Sequence, residues 1–462
     1  MTTFLTATQN QTIRTENGMQ TRQSSANACV DLFYVIGTLH GDAIIPAFAQ
    51  AHAAQRDVAL RIAQWARDVR GGAGMRDTFR AILAYLERVD EAGARALLPN
   101  IPIIGRWDDL LVLTGPLRAE AFDLIAAGLA AGNQLCAKWM PRQGPVAIAL
   151  RQHLGLSPKQ YRQLLVGLTN VVEQKMCARR WDDINFAALP SQAAVRYRRT
   201  FAARTGMYQI YLKQLAAGET KVNATAIYPH EVIRPLRDYY TADEATLVRA
   251  QWAALPNYVG VASVLPLVDV SRSMTQHVAP DTRAIDIAVA LGLYMADKNV
   301  GAFKNLVLTF TDTAKIHYLR GDIVAKYDSL VKSDWEMNTN LHAAFTRILE
   351  VAVANQVPAA EMPQTLLILS DMQFDECVEY DDSAIEMISR KYAEAGYTVP
   401  QVVFWNLRHS HGVPARADQR GVALVSGYSP SLMQGLLEAG TMATAEEVML
   451  QTVMRPRYDL RG

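Results

Sequence analysis

The sequence predicts a multidomain α plus α/β chain, an N-terminal helical array followed by a C-terminal doubly wound α/β domain. Three observations lead there. From about Ser25 to Leu247 apolar residues recur every third or fourth position, the period of helices that bury one face. Beyond QWAALPNYVG, short β-branched apolar runs alternate with helical stretches, the pattern of βαβ units and a mostly parallel sheet. The 462 residues are 50% apolar, 20% charged and 8% aromatic with a mean hydropathy of +0.00, which is globular and excludes disorder, collagen and coiled coil as the main architecture.

Residues 1–25 read as an N-terminal extension. Helical segments follow at ACVDLFYVIGTL, DVALRIAQWARDV, RDTFRAILAYLERV, AEAFDLIAAGLAAGNQLCAKWM, PKQYRQLLVGLTNVVEQKM and AAVRYRRTFAARTGMYQIYLKQLA. Between them RGGAGM, LLPNIPIIGRWDD and LGLSPKQ supply breakers and N-caps. Antiparallel helix pairs stacked side by side make a HEAT-like array over residues 26–255, curved or closed into a ring, although no fixed-period repeat is visible. Residues 256–462 form the α/β domain. Its strands are expected at VASVLPLVDVS, NLVLTFTD, AKIHYL, QTLLILSD, QVVFWNL and GVALVSG, with helices at TRAIDIAVALGLYMADK, LHAAFTRILEVAVAN, SAIEMISRKYAEAG and PSLMQGLLEAG.

Lys+Arg of 46 against Asp+Glu of 45 gives a net charge of +1, which by itself suggests neither nucleic acid nor membrane. The average conceals an asymmetry. Residues 1–250 hold 29 basic and 21 acidic residues, or +8, and the remainder holds 17 and 24, or −7. Cys29, Cys136, Cys177 and Cys377 lie far apart without metal-ligand spacing, so a zinc ribbon or disulfide scaffold is not expected and a reducing, cytoplasmic setting is. No signal-peptide pattern opens the sequence, and no apolar window reaches the roughly 18 residues of a membrane span.

In a doubly wound fold, ligands bind beyond the carboxyl ends of the strands. The first strand ends in Asp269-Val270-Ser271-Arg272-Ser273, and a later one in Ser370-Asp371. Asp269, Ser271 and Ser273 can turn three oxygens to one point; Asp371 adds a carboxylate, and Thr339 in the loop MNTNL a further hydroxyl. Oxygen donors with at most two carboxylates suit a hard divalent cation that keeps an open position. Mg²⁺ is expected, with Mn²⁺ or Ca²⁺ as alternatives.

At these residues a resemblance becomes specific. DVSRSM resembles the D-x-S-x-S of the von Willebrand factor A-type metal-ion-dependent adhesion site (MIDAS), and Thr339 and Asp371 resemble its threonine and second aspartate; Asn338 and Asn340 are alternatives to Thr339. In the N-terminal half, the stretch from Arg67 to Arg76 and Gly105-Arg106-Trp107-Asp108-Asp109-Leu110 resemble segments of the TROVE module of Ro autoantigen-type proteins, in which a von Willebrand A-type domain follows. TENG, LGLSPKQYRQLL, the segment from Lys175 to Pro190 and SDMQFD are closer still to an uncharacterised TROVE-like group. The resemblance spans nearly the whole length. It implies a ribonucleoprotein component whose helical ring takes single-stranded ends of misfolded RNAs and binds small structured non-coding RNAs; no individual RNA contact carries over by motif.

The residues themselves suggest where RNA would lie. Lys175, Arg179, Arg180, Arg196, Arg198, Arg199 and Arg204 face only Asp182 and Asp183 in sequence, with Tyr197, Phe201 and Tyr208 interleaved. Such a stretch could neutralise several phosphates and stack on unpaired bases; a solvated helix face is the bland alternative. RGGAGM reads as a turn between helices rather than a phosphate loop, with Arg70 and Arg76 holding neighbours. Arg106-Trp107-Asp108-Asp109 and Arg180-Trp181-Asp182-Asp183 read as Arg–carboxylate clasps. No nucleophile or general base is evident, Cys377 beside Asp375 and Glu376 included, so a non-enzyme is expected. The expectation is an RNA-binding protein with a metal site for a partner's carboxylate. The alternative is a protein-interaction adaptor acting through that site with the helices as scaffold; a metal-dependent nuclease is a distant third.

Overall fold

The computed structural model describes residues 12–224, 226–310, 314–333, 339–376 and 383–460. They fall into two compact units: the chain up to Leu39 with Ile227–Val453, and His40–Ala226 with the stretch from Met454 onward.

The first unit is α/β. In chain order its strands are β1 (Thr12–Arg14), β2 (Gln20–Arg22), β3 (Val264–Val268), β4 (His277–Ala279), β5 (Thr282–Arg283), β6 (Leu306–Thr309), β7 (Lys315–Tyr318), β8 (Thr365–Ser370), β9 (Gln401–Asn406) and β10 (Val422–Ser426). β1 with β2 and β4 with β5 make small antiparallel pairs, and the others form one sheet in the order β10-β9-β8-β3-β6-β7. Every pairing in that sheet is parallel except β6 with β7. β3, β8, β9 and β10 are buried at each position, because a parallel sheet is covered on both faces. That is why they read as continuous apolar runs. The helix Ala284–Lys298 lies against β3, where Gly292 permits the approach: a Cβ there would stand 2.4 Å from Val268 Cγ2.

The boundaries expected at 25 and 255 are corrected by packing. Helix Ala28–Val35, assigned from sequence to the array, lies along β10, and Ser426 Oγ donates to Phe33 O at 2.8 Å. Helix Pro229–Ile233 packs on Ala284–Lys298, and Ala242–Ala253 packs on Ile323–Val331. Trp252 Nε1 donates to Asp297 and Arg249 pairs with Asp322, so the last helices of the expected array cover the sheet domain. At the other end, Gln64 Nε2 donates to Tyr458 O, and Arg457 and the Tyr458 hydroxyl bind Asp68, so the C-terminal stretch belongs with the helices. Divided this way, the charge asymmetry sharpens: the helical unit holds 27 basic and 16 acidic residues, or +11, and the α/β unit 19 and 29, or −10.

In the helical unit three expected long helices are each broken in two. The breaks fall at Gly132 (φ +72°) with Asn133 capping the next helix, after Leu168, and at Thr205, whose hydroxyl accepts from Met207 N. RGGAGM is the expected turn. Ala73 N and Met75 N donate to Trp65 O and Ala66 O, and a Cβ on Gly72 would lie 1.8 Å from Trp65 O. Arg70 reaches Ile103 O, as a neighbour-holding residue should, whereas among the described residues Arg76 pairs only with the adjacent Asp77. The clasp at Arg106-Trp107-Asp108-Asp109 is extensive: Asp109 is fully buried between Arg67 and Arg80, Asp108 binds Arg80 and Arg106, and Trp107 lies against Gly128. Its sequence counterpart is not equivalent. Asp182 accepts from Thr205 Oγ1, and Arg180 stands 3.8 Å from Asp183 on the surface.

Candidate functional site

β3 and β8 run side by side with Val268 opposite Leu369, so the residues that follow them, Asp269 and Ser370, emerge together at the carboxyl edge of the sheet. Asp269 is wholly buried. Its Oδ1 accepts from Ser271 N at 2.8 Å and its Oδ2 from Ser370 Oγ at 2.5 Å. The Ser271 and Ser273 hydroxyls stand 3.0 Å apart. Asp371, also wholly buried, takes Gln373 N on one oxygen and Arg408 Nη1, at 2.7 Å, on the other. Thr339 is buried in the adjoining loop, where its carbonyl accepts from Asp375 N. Asn338 and Cys377 lie outside the described residues.

The electrostatics of these loops are unbalanced. Burial first, and Asp371 second, push the Asp269 carboxyl up to about 7, against hydrogen bonds that favour its anion. Burial and Asp371 likewise raise the Tyr34 phenol well above its ordinary value. The Tyr34 hydroxyl is buried and has no hydrogen-bond partner among the described residues. With Asp371 paired to Arg408, the charge left among the hydroxyl oxygens is that of Asp269 when it ionises; carboxylate and hydroxyl oxygens are the donor type a hard divalent cation takes. Among the described residues no group of three or more His, Cys, Asp or Glu side chains that could hold a metal ion is found.

Sequence reasoning missed what braces the loops. The β1–β2 turn lies along residues 373–376: Thr15 Oγ1 donates to Phe374 O, Asn17 Nδ2 to Gln373 O at 2.8 Å, and Arg14 pairs with Glu376. Gly18 bridges to Asp375. Residues 12–22 are therefore a working part of the α/β unit rather than an extension. Ser370 was read only as the end of a strand and Arg408 was missed, because a single polar residue at or after a strand carries no spacing signal.

The seven cations of the helical unit differ in what they touch. Lys175 Nζ donates to Asp183 O, and Arg198 Nη1 to Val195 O. Arg179, Arg180, Arg196, Arg199 and Arg204 are exposed. Arg179, Arg196 and Arg204 make no side-chain hydrogen bond or ion pair among the described residues. On helix Ser191–Arg204, Arg196, Arg199 and Arg204 span an arc of about 140° at 100° per residue. They share a broad solvent-facing surface rather than a narrow stripe. The interleaved aromatics are corrected: Phe201 and Tyr208 are buried in a cluster with Phe186 and Tyr211, so only half-buried Tyr197 remains near a surface.

Comparison with known proteins matches residues 263–458 to a domain of unknown function (DUF7788) and residues 152–260 to another (DUF2828). An uncharacterised protein, L728, of Acanthamoeba polyphaga mimivirus is 29% identical over 92% of this chain and 84% of its own length. Among solved structures, the Deinococcus radiodurans Ro (RSR) protein aligns over 93% of this chain and 99% of its own at 14% identity, with a TM-score of 0.44. No helix among the described residues is long and apolar enough to cross a membrane.

Proposed function

We propose that the chain is a non-enzymatic, cytoplasmic RNA-binding protein of the Ro/TROVE type. In this reading a HEAT-like helical domain holds single-stranded, misfolded or small structured non-coding RNA, and a von Willebrand A-type domain carries a divalent-metal site. The observation that carries it is the charge division: +11 on the helical unit, with Arg179, Arg196 and Arg204 not committed to carboxylates, against −10 on the other. Surface guanidiniums without intramolecular partners are available to phosphates. The sequence resemblance of RDVRGGAGMR, GRWDDL and DVSRSM to that family supports the same reading.

At the metal loops, Asp269, Ser271, Ser273, Thr339 and Asp371 would hold Mg²⁺, Mn²⁺ or Ca²⁺. The cation, when bound, supplies an open position for an outside oxygen such as a partner protein's carboxylate. Ser271 N and Ser370 Oγ hold Asp269, and Arg408 holds Asp371, so both carboxylates are oriented before any cation arrives. The buried, mutually repelling carboxylates favour, as a second reading, an adaptor in which this site is the main working surface.

Titration of the full chain with a fluorescent single-stranded RNA and with an acidic protein, across a salt series, separates the two. The RNA reading expects preference for RNA and a steep loss of affinity with salt. Equal affinity for both with a shallow slope would leave the adaptor.

A further inference from the structure

The helical unit contains a cleft of about 650 Å³, bordered by helices Gln134–Trp139, Val172–Cys177 and Ser191–Arg204. Its size is that of a small-molecule site. One wall is a planar platform: the Arg106 guanidinium lies over the Trp139 ring, 3.3 Å from its centroid, and two hydrogen bonds to Asp108 fix its plane. The carboxylate lining the cleft, Glu173, is already engaged by Lys138 and the Tyr197 hydroxyl, so it does not neutralise an incoming anion. Arg196 lines the same cleft and has no side-chain partner among the described residues. The Gln192 amide, also lining it, offers both a donor and an acceptor.

We propose that this cleft takes one unstacked nucleotide of a single-stranded RNA, the base against the Arg106–Trp139 platform and the adjoining phosphate on Arg196. The inference rests on the RNA reading above and names the place where the strand is gripped. A flat cation–indole face beside a free guanidinium and an amide matches the three parts of a nucleotide: ring, phosphate and hydrogen-bonding edge. An acidic peptide would use the cations alone and leave the platform without a role.

The test uses the full chain with a uridine dodecamer carrying 4-thiouridine. Photocrosslinks are expected in the peptides that contain Trp139 and Tyr197. Gln192→Trp, which fills the cleft from its half-buried wall, should abolish those crosslinks and weaken binding about tenfold, the effect of losing one stacked base. Arg196→Ala, at an exposed position where folding is not at stake, should weaken binding and flatten its salt dependence. Crosslinks confined to other peptides, with affinity unchanged in both variants, would overturn the cleft and leave the RNA reading standing. An acidic peptide that competes as well as the dodecamer would also overturn it. Failure of the unmodified chain to bind the dodecamer would defeat the RNA reading and the cleft with it.

Discussion

Asp269→Asn separates the electrostatic cost of the metal loops from their packing. The amide keeps the volume, its oxygen still accepts from Ser271 N, and the Ser370 hydroxyl can rotate from donor to acceptor against the new NH₂. What disappears is a buried charge facing Asp371. The Asp269 carboxyl is raised from 3.8 to about 7, roughly three units at 1.36 kcal/mol each, so its ionisation costs the metal-free fold about 4 kcal/mol. Because the folded value lies above the unfolded one, the proton on Asp269 favours the fold at low pH. That advantage is lost as pH rises from about 4 through about 7. Carboxylates held below their ordinary range, such as Asp68 and Asp286, act in the opposite sense and are common to both proteins. The difference between wild type and variant therefore reports the Asp269–Asp371 pair. Urea melts in EDTA should show near-equal stability at pH 4, with the variant gaining up to about 4 kcal/mol by pH 8. Mg²⁺ should then stabilise the wild type and leave the variant unmoved. Parallel pH curves, or equal Mg²⁺ stabilisation of both proteins, would refute the reasoning.

Three further outcomes follow from particular contacts. Asn17→Ala removes the bond to Gln373 O, a loss of about 1 kcal/mol, and should weaken Mg²⁺ binding severalfold by calorimetry while the melting temperature of the metal-free protein falls only slightly. Asp109→Ala leaves Arg67 buried without its carboxylate and should cost about 3–5 kcal/mol in urea unfolding. Gly72→Ala drives a methyl into Trp65 O and should destabilise the helical unit by about 3 kcal/mol; a neutral result in thermal melts would show that the turn relaxes freely.

The α/β half was legible because a covered parallel sheet leaves little choice of residue: VLPLV, TLLILS and VALVS are buried at every position and end at polar residues. D-x-S-x-S was legible for the same reason, since it stands directly after β3. The domain boundaries were not. Helical period reports that a face is buried but not against what, so helix Ala242–Ala253 reads alike whether it covers other helices or the sheet domain. The β1–β2 hairpin escaped because strands of three largely polar residues carry no alternation. Phe201 and Tyr208 misled because aromatics among arginines look like a stacking surface until their partners are known. The Arg106–Trp139 platform joins residues that are distant in sequence, and no spacing announces it.

The central claim, that the unpaired cations of the helical unit grip RNA phosphates, is tested most directly by the salt dependence of single-stranded RNA binding. The comparison is between the full chain and its Arg179→Ala/Arg196→Ala/Arg204→Ala variant. Each phosphate contact contributes about 0.7 to the slope of log affinity against log salt, so loss of three should reduce that slope by about 2. An unchanged slope and affinity in the triple variant would contradict the account.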